Sequence, residues 1–518
     1  MLSGVDWNIE DDTVQGFWNS FENKLINVVD SLIPMSLESN NAKIEKVTPR
    51  IKNLINLRKR LVKKMRTNKS PEIRERVKAL NVEIKSYFSN KKNEQVRRTI
   101  KPGNSQSLWK AVKIAKDVNL DSLPKSMYES NIEIPRDMLP DRFASYFHNK
   151  IATLLEGVNI DDNIHNGFNK VNCSESDFMD LESVISCMKS LKSKNSEGFD
   201  RIPQKVLVDG VDILSMPMHK LMSMIYKEKK VPDQWLVSKT IPIYKNKGQS
   251  KDLENYRPIA NLCSSSKIFE KLILKRIMQI ESEKNVDLTG SNQHGFKRKC
   301  STSTLSSALL SQISRALDNE DYVILASLDL SSAFDLVNID LLIKRLKIIG
   351  LPKDVIDLIS AWLRERSFYV SIDGVNSVIF DLLLGTVQGS ILGPVLYAIF
   401  VSPIFDIADL SAFADDTFIP KSNSSLPRLI VDMEKTLEAI TKWLKKSGLI
   451  VNQAKTECCL FYKNDCAQVN LKIGDCTILT KKSINVLGVI FDSKLQWSEH
   501  VAKAVQKSNR SLNALKII

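Results

Sequence analysis

The sequence predicts an α+β protein in which hairpins of a mainly antiparallel sheet are interleaved with helices. Three observations indicate this class. Apolar residues recur at helical spacing in the first 150 positions, β-rich runs with hairpin turns follow in the second half, and no regular strand–helix–strand rhythm is present. Hydrophobic residues make up 43% of the 518 positions. We therefore expect a globular chain with a large core and about three domains.

The N-terminal region 1–155 is predicted to be helical and basic. Within residues 50–66, apolar residues at helical spacing form one stripe, and lysines and arginines cover the other faces. Residues 41–120 hold 23 lysines and arginines against 6 acidic residues, so the rest of this +14 chain is slightly acidic. This block predicts a polyphosphate partner, and a solvated helix face is the other interpretation. The candidate nucleic-acid-binding residues are Arg58, Lys59, Arg60, Lys63, Lys64 and Arg66.

A polar passage rich in Asn and Asp predicts a linker at 156–180. After it, residues 322–330 form a β-rich run typical of a buried strand. Residues 338–352 begin with a capping Asn338 and end in a Gly-x-Pro stop, which predicts a helix.

Three later segments are also predicted to form strands or helices. Residues 368–380 alternate around Asp373-Gly374 and predict a hairpin. Residues 432–449 predict an amphipathic helix closed by Gly448, and residues 484–492 predict a late strand.

No membrane-spanning segment is predicted. Residues 382–405 carry no charge, but their glycines and prolines interrupt the apolar run, so we expect a turn followed by a buried helix. The N-terminus lacks the basic and apolar regions of a signal peptide. Eight cysteines without a C-x-x-C pair argue against a zinc ribbon or knuckle.

Two adjacent aspartates, Asp415 and Asp416, lie in the apolar run LSAFADDTFIP (410–420). Because Asp is common in turns, a turn is one explanation for the pair. A metal site is the alternative, because paired carboxylates in apolar surroundings need cations. Asp329 ends the apolar strand VILASLD, and a third carboxylate near the pair would suit two hard divalent cations. Neighbours in a straight strand point to opposite faces, so both aspartates reach one site only at a hairpin tip facing that strand end.

Three stretches then resemble motifs A, B and C of reverse transcriptases in order and spacing: SLDLSSAFDLVN (327–338), GTVQGSILGPVLYAIF (385–400) and FADDT (413–417). Further stretches make the chain look like the reverse transcriptase of a non-LTR, LINE-type, Jockey-like retrotransposon. These are EGFDRIP (197–203), ENYRPIANL (254–262), QHGFKRKCSTSTL (293–305), GLIVNQAKTE (448–457) and VLGVIFDSKLQWSEHV (486–501). The resemblance is strong over 190–505.

The resemblance implies a right-hand polymerase fold with fingers and palm. It places fingers and N-terminal motifs at 181–325, the palm at 326–495 and the start of a thumb at 496–518, with a reverse transcriptase domain of about 224–495. Residues 1–155 resemble, more loosely, the segment that joins endonuclease to polymerase in these elements. No endonuclease, ribonuclease H or zinc motif is found, which predicts a partial element that lacks most of the thumb.

The same resemblance implies which residues form the active site. Asp329, Asp415 and Asp416 are the implied catalytic and metal-binding carboxylates, and the Leu330 carbonyl completes the site for two Mg²⁺, with Mn²⁺ as the alternative. Phe334 matches the ring that excludes a 2′-hydroxyl, and Lys455 matches a proton donor to pyrophosphate; a core Phe is the plainer interpretation of Phe334. Asp335 is not taken as a ligand. The remaining nucleotide-binding residues are Lys245, Arg257, Ser332, Ala333, Gln388 and Gly389, with Lys247 and Lys251 as rivals of Lys245.

One departure from the family is Val387, where relatives often have Pro, and we expect modest effects. The implied function is RNA-directed DNA polymerase, with an RNA template, a DNA primer and dNTPs as partners. An RNA-dependent RNA polymerase or an intron-encoded enzyme is disfavoured, and a catalytically inert RNA-binding remnant is the alternative from another class. The expected location is intracellular, in the nucleus, the cytoplasm or both, and the oligomeric state stays open.

Overall fold

The computed structural model describes residues 2–32, 48–67, 70–100, 105–115, 123–124, 127–129, 132–156, 160–161, 175–464, 467–474 and 476–515. These residues form two compact units. The larger unit comprises Met1–Ile33 with Lys125–Trp497, and the smaller unit comprises Pro34–Pro124 with Ser498–Ile518. The predicted N-terminal region 1–155 is therefore divided between both units. The predicted linker 156–180 lies largely outside the described residues.

The described residues form helices and strands in both units. The helices are α1 Val14–Leu32, α2 Pro49–Thr67, α3 Pro71–Thr99, α4 Ser105–Ala115, α5 Leu139–Leu155, α6 Leu181–Lys189, α7 Gln204–Asp209, α8 Val211–Glu228, α9 Asp233–Leu236, α10 Ser264–Lys284, α11 Thr302–Asp318, α12 Ile339–Ile349, α13 Lys353–Leu363, α14 Gly393–Val401, α15 Ile404–Ile407, α16 Leu426–Lys446 and α17 Ser498–Leu515. The strands are β1 Met127–Glu129, β2 Ile132–Ile134, β3 Val237–Tyr244, β4 Tyr256–Asn261, β5 Tyr322–Leu328, β6 Ser367–Ile372, β7 Val375–Asn376, β8 Phe380–Asp381, β9 Ser411–Phe413, β10 Asp416–Asn423, β11 Glu457–Phe461, β12 Asn470–Ile473, β13 Cys476–Leu479, β14 Ser483–Val486 and β15 Val489–Asp492.

A four-stranded sheet in the order β11-β5-β10-β9 is the centre of the larger unit, and all its pairs are antiparallel. Its middle strand β5 buries both faces, as the apolar run predicted. Ile324 and Ala326 face the main core, whereas Val323 and Leu325 face a second apolar cluster with α11. Two covered faces explain why β5 lacks a polar alternation.

A second sheet has the order β4-β3-β6-β7, and β8 also pairs with β6. Its β3–β6 pair is parallel, so the sheets are mainly but not wholly antiparallel. Helix α5 packs on β6, β7 and β8. The mixed helix and sheet architecture confirms the predicted α+β class.

Local signals explain several elements. The Asn338 side chain accepts a hydrogen bond from the Leu341 N–H at 2.9 Å, and Gly350 ends α12 with a φ of 82°, so the predicted helix is confirmed. The hairpin at Asp373-Gly374 is also confirmed, with β6 and β7 on either side. The uncharged stretch 382–405 contains the buried helix α14, as predicted.

The prediction of one late strand over residues 484–492 is wrong. The segment forms the hairpin β14–β15, which turns at Leu487-Gly488. Both turn residues have positive φ, 49° and 95°, and the Gly488 N–H donates to the Asn485 side chain. Two positive φ angles are typical of the two-residue turns that match strand twist. The sequence did not predict this turn because Leu487 occupies a position where Asn, Asp or Gly is usual.

The main core of the larger unit joins distant parts of the chain. Three fully buried tryptophans lie in α1, α9 and α13: Trp18, Trp235 and Trp362. Trp18 contacts Trp235 edge-on at a centroid distance of 5.4 Å. Helix α1 is therefore part of the same folded body as the sheets.

The smaller unit consists of α2, α3, α4 and α17, whose contacts include α2 with α3 and α4 with both α3 and α17. The predicted helix at 50–66 is confirmed by α2, which carries eight basic residues and no acidic residue. In the described part of the chain, none of the helices has the length and apolar character needed to cross a bilayer.

Candidate active site

Asp415 and Asp416 lie at the tip of the β9–β10 hairpin. Asp416 pairs with Phe413, so only Ala414 and Asp415 form the turn. Ala414 has a φ of 58°, a conformation that is costly for a residue with a Cβ. This turn is what allows two sequence neighbours to approach one site, as the sequence analysis required.

Asp329 lies beside this tip because of the β5–β10 register. Thr417 pairs with Leu328 in the antiparallel ladder, so Asp416 and Asp329 occupy the next positions across the two strands. The strand end and the hairpin tip therefore meet at one edge of the central sheet. The three predicted carboxylates come together there.

The pKa values of these carboxylates are raised by one another's charges, which indicates that the groups lie close together. Burial raises the pKa of Asp415, and the charge of Asp329 raises it further. Burial and the charges of Asp415 and Asp329 raise the pKa of Asp416 to about 6. The pKa of the buried Tyr397 hydroxyl is also raised, first by burial and then by Asp415 and Asp416. Like charges in a partly buried site disfavour full ionisation, which is the condition that a bound cation relieves.

The backbone after β5 directs the Leu330 carbonyl toward the same edge. Leu330 bridges Val451, and the flanking hydrogen bonds run from Asn452 N–H to the Asp329 carbonyl at 2.7 Å and from Ser331 N–H to the Ile450 carbonyl at 2.8 Å. Because backbone groups alternate in direction along a strand, the Leu330 carbonyl points away from residues 450–452. That direction is the side on which β10 lies.

The donor set suits hard divalent cations, since carboxylate and carbonyl oxygens are the ligands that Mg²⁺ and Mn²⁺ prefer. Among the described residues, no three His, Cys, Asp or Glu side chains are arranged closely enough to enclose an ion. The raised pKa values of Asp415 and Asp416 nevertheless mark a site with excess negative charge. The chemistry of these residues therefore suits a bound divalent cation.

Basic side chains surround the carboxylates. Lys455 Nζ lies 3.3 Å from Asp329 Oδ2, and both side chains are partly exposed. Arg257 and Lys455 each lower the pKa of Asp415 through their charge. Burial lowers the pKa of Lys245, and nearby Lys150 and Arg257 lower it further. The cations therefore lie close enough to repel one another.

A cavity of about 700 Å³ opens beside the segment that follows Asp329. Its lining includes Lys245, Leu330, Ser332 and Lys455, four of the residues predicted from the sequence. Of the three rival lysines, Lys251 lies over the Tyr128 ring at 5.0 Å, and Lys245 is the one that lines the cavity. The space and its charge suit a polyphosphate.

Phe334 packs against Tyr397 at a centroid distance of 4.5 Å and meets the Phe296 ring edge-on at 6.1 Å. The preceding turn is tight, since Ser332 has a φ of 49° and its carbonyl accepts from the Asp335 N–H at 2.9 Å. Ala333 is buried in this turn, whereas Phe334 is only partly buried. The ring is thus held from two sides beside the carboxylates.

Gln388 and Gly389 form a turn that is fixed to β4. The Ala260 N–H donates to the Gln388 carbonyl at 2.9 Å, and a Cβ on Gly389 would lie 2.4 Å from the Ala260 carbonyl oxygen. With its φ of 116°, position 389 accepts only glycine without strain. The side-chain oxygen of Gln388 is buried and has no hydrogen-bond partner in the described part of the chain. Val387 is buried at the start of this turn.

Comparison with known proteins agrees with this geometry. Residues 243–491 match the family model for reverse transcriptase (RNA-dependent DNA polymerase). Over this segment the chain is similar to reverse transcriptases. The segment contains the three carboxylates, Phe334, the Gln388-Gly389 turn, Lys245, Arg257 and Lys455.

Curated relatives narrow the resemblance to non-LTR retrotransposons. The chain is 26% identical over 344 residues to the RNA-directed DNA polymerase from mobile element jockey of Drosophila melanogaster, covering 63% of this chain and 36% of that protein. It is also 26% identical to the probable RNA-directed DNA polymerases from transposon BS, over 65% of this chain and 38% of the relative, and from transposon X-element, over 52% and 30%, both of the same fly. The chain spans about a third of the length of these relatives.

Three further residues, which the motifs do not indicate, also shape the candidate site. The buried Gln293 side chain binds the backbone of the turn that carries Asp415. In the sequence, its stretch QHGF contributes only to the resemblance to reverse transcriptases. Gln293 is a polar residue between residues that favour turns, so the sequence did not predict that it is buried.

Glu270 is the second missed residue. It is fully buried in α10, and its Oε2 accepts hydrogen bonds from the Ile391 N–H at 2.5 Å and the Leu392 N–H at 3.1 Å. These groups lie just before α14, so Glu270 fixes the segment that follows Gln388. Its position as a lone acid in the apolar run KIFEKLIL was a usable signal.

The third missed residue is Lys150, which reaches the matched segment from α5. Its Nζ donates to Ser332 Oγ at 2.8 Å. By contrast, the predicted nucleic-acid-binding residues of α2 belong to the smaller unit, and the side chain of Arg66 lies outside the described residues.

Proposed function

We propose that this chain is an RNA-directed DNA polymerase of a non-LTR retrotransposon, which adds dNTPs to the 3′-hydroxyl of a DNA primer on an RNA template. The observation that carries the proposal is the meeting of Asp329 with the Asp415–Asp416 hairpin tip beside a cavity lined by lysines. A carboxylate cluster next to a cationic pocket suits a reaction in which the primer oxygen attacks the α-phosphate of a triphosphate, the bond between the α- and β-phosphates breaks and pyrophosphate leaves.

Asp329, Asp415, Asp416 and the Leu330 carbonyl would hold two divalent cations, Mg²⁺ or Mn²⁺. When bound, such ions lower the pKa of the primer hydroxyl and neutralise the charge of the leaving pyrophosphate. The protein itself positions this donor set through the β5–β10 register and the turn at Ala414.

Lys245, Arg257 and Lys455 would bind the triphosphate, with the backbone of Ser332 and Ala333 beneath it. Lys455 lies next to Asp329 and near Asp415, and its ammonium would give a proton to the departing pyrophosphate. Charge-assisted hydrogen bonds from several cations bind a phosphate chain strongly.

Phe334 would select deoxynucleotides by filling the space of a ribose 2′-hydroxyl. Its ring is held by Tyr397 and Phe296, so it has little freedom to move aside. The unpartnered side-chain oxygen of Gln388 would face the base or template, and Gly389 permits the close backbone approach.

Helix α2 would bind RNA through Arg58, Lys59, Arg60, Lys63, Lys64 and Arg66. Lys59, Arg60 and Lys63 are exposed, and the helix has no acidic residue to offset them. With nucleic-acid partners of this kind the protein would act inside the cell, in the nucleus, the cytoplasm or both.

Primer extension by the purified chain tests the proposal. The substrate is an RNA template annealed to a DNA primer, with Mg²⁺ and either dNTPs or NTPs. We expect extension with dNTPs, its loss in Asp415→Ala, and its retention in Asp432→Ala, which removes an exposed carboxylate of α16. In Phe334→Ala we expect the preference for dNTPs over NTPs to fall at least about tenfold, whereas Phe334→Tyr keeps it.

Absence of extension by the wild-type chain, together with salt-dependent binding of the duplex, would contradict polymerase activity. That outcome would indicate an inert nucleic-acid-binding protein instead. Equal use of NTPs by the wild type would contradict the role given to Phe334.

A further inference from the structure

Helix α5 lies outside the segment that matches the reverse transcriptase family, yet it forms one wall of the cationic cavity. Lys150 of α5 contacts the segment that follows Asp329, because its ammonium donates to Ser332 Oγ at 2.8 Å. Ser332 is the third residue after Asp329. A segment remote in sequence thus supplies a cation next to the catalytic strand end.

The side chains that line the cavity are mainly positively charged. Among the residues that the structure describes, its lining contains four basic side chains, Arg142, Lys150, Lys245 and Lys455, and a single acidic one, Glu254. Lys245 Nζ donates to the Glu254 backbone carbonyl at 2.5 Å, so this hydrogen bond does not engage the Glu254 carboxylate. An excess of cations around a concave space of this size predicts a polyanionic ligand.

The position of Lys150 is fixed by the packing of α5. Phe143 and Phe147 are buried beneath the helix, and Phe143 contacts Tyr256 of β4 at a centroid distance of 5.1 Å. At the start of the helix, Asp141 accepts a hydrogen bond from the Val378 N–H at 2.9 Å. The helix is therefore anchored on both the second sheet and the loop before β8, which makes the lysine a preorganised cation.

The charge of Lys150 acts on the predicted nucleotide-binding lysines. Partial burial lowers the pKa of Lys150; Asp335 opposes this shift, and Lys455 adds to it. Lys150 in turn lowers the pKa of Lys245. Three mutually repelling ammonium groups around one open space gain stability when an anion enters it.

We propose that Lys150 binds the triphosphate of the incoming dNTP as a fourth cation, together with Lys245, Arg257 and Lys455. This proposal rests on the proposed function for its choice of ligand. The binding of a triphosphate chain by Lys150 also has a readout that does not depend on polymerisation.

Equilibrium binding to the full chain tests this role. Tripolyphosphate, a dNTP and the matching dNMP are titrated in Ca²⁺ instead of Mg²⁺, so that binding is measured without following turnover. We expect Lys150→Ala to weaken binding of the dNTP and of tripolyphosphate about tenfold and to leave dNMP binding within about twofold, because only the longer phosphate chains reach the lysine. Lys150→Arg should restore most of the affinity.

The matched control is Lys353→Ala, which removes an exposed lysine from α13, a helix that does not line the cavity. It should bind all three ligands like the wild type. Equal weakening of dNMP and dNTP in Lys150→Ala would show that the lysine only supports the local structure, and unchanged tripolyphosphate binding would show that it does not contact phosphate. Either result overturns the proposal.

The outcomes for the two proposals are separable. A wild-type chain that fails to extend primers but binds tripolyphosphate through Lys150 refutes polymerase activity and supports this site. A chain that extends primers equally well with Lys150→Ala, at limiting dNTP, supports the polymerase and refutes this site.

Discussion

The side-chain carbonyl of Gln293 accepts a hydrogen bond from the backbone N–H of Ala414 at 3.0 Å. The same oxygen accepts from the Gly295 N–H at 2.8 Å, and Gln293 is fully buried. A Cβ on Gly295 would lie 2.2 Å from the Ala414 nitrogen, so the two segments touch backbone to backbone. One glutamine thus holds the strained turn that presents Asp415.

Replacing Gln293 with Ala should lower kcat for primer extension by about ten- to a hundredfold with little change in KM for dNTP, because the carboxylate moves while the cationic cavity stays intact. The lost buried hydrogen bonds should also lower the free energy of unfolding by about 1–3 kcal/mol. Steady-state kinetics and denaturant unfolding measure both. Gln312→Ala, which removes an exposed glutamine from α11, is the control. Unchanged kcat in Gln293→Ala would refute a positioning role.

Replacing Asp416 with Asn should stabilise the metal-free protein while abolishing extension. The pKa of Asp416 is raised to about 6 by burial and by two neighbouring carboxylates, so its charge at pH 7.5 opposes folding. We expect a gain of about 1 kcal/mol in the free energy of unfolding, reduced by solvent screening. Adding Mg²⁺ should raise the Tm of the wild type and of Asp432→Asn, but not of Asp416→Asn. An equal Mg²⁺ response in all three would contradict a cation site at Asp416.

Glu270 should make stability depend on pH. Burial raises its pKa from 4.5 to about 7, so the folded state binds more protons than the unfolded state between these values. The free energy of unfolding therefore falls as pH rises from 4.5 to 7 and then levels off. Glu270→Gln keeps a carbonyl that accepts from Ile391 and Leu392 and should reduce the loss between pH 5 and 8 by about 2 kcal/mol.

Denaturant unfolding at pH 5, 6, 7 and 8 measures this pH dependence. Asp200, also buried with a pKa raised to about 7, contributes a slope of the same sign that should persist in Glu270→Gln. Asp200→Asn in the Glu270→Gln background should flatten the profile further. Identical pH profiles for the wild type and Glu270→Gln would show that Glu270 stays ionised.

The basic face of α2 should bind RNA in a salt-dependent manner. Changing Lys59, Arg60 and Lys63 to Gln removes three exposed charges from a helix without acidic residues. We expect weaker RNA binding at 0.1 M salt and a dependence of log Kd on log salt that is shallower by about 2, because fewer counterions are released. Lys227→Gln with Lys230→Gln, two exposed lysines of the larger unit, is the control. An unchanged slope in the triple variant would place RNA binding elsewhere.

Sequence reasoning found the parts of the site that follow from strand periodicity and motif spacing. Asp329 ends an apolar strand and Asp416 begins another; the pattern allowed their meeting at one sheet edge, and the order and spacing of the motifs favoured it over a plain turn. Lys150 and Ser332 are 182 positions apart, and nothing local to either residue indicates their contact. The turn at Leu487-Gly488 was missed because an apolar residue occupies a position that usually favours Asn or Asp.

The packing of α1 and α5 bears on how this protein is produced in the laboratory. Phe17, Trp18 and Phe21 of α1 join the main core, and Phe143 of α5 closes against Tyr256. An expression fragment that starts at the family boundary, residue 243, would discard both helices and leave their partners' apolar surfaces open to water. Such a fragment is prone to aggregate, so useful truncations keep residues 1–33 and 125–242 with the family segment.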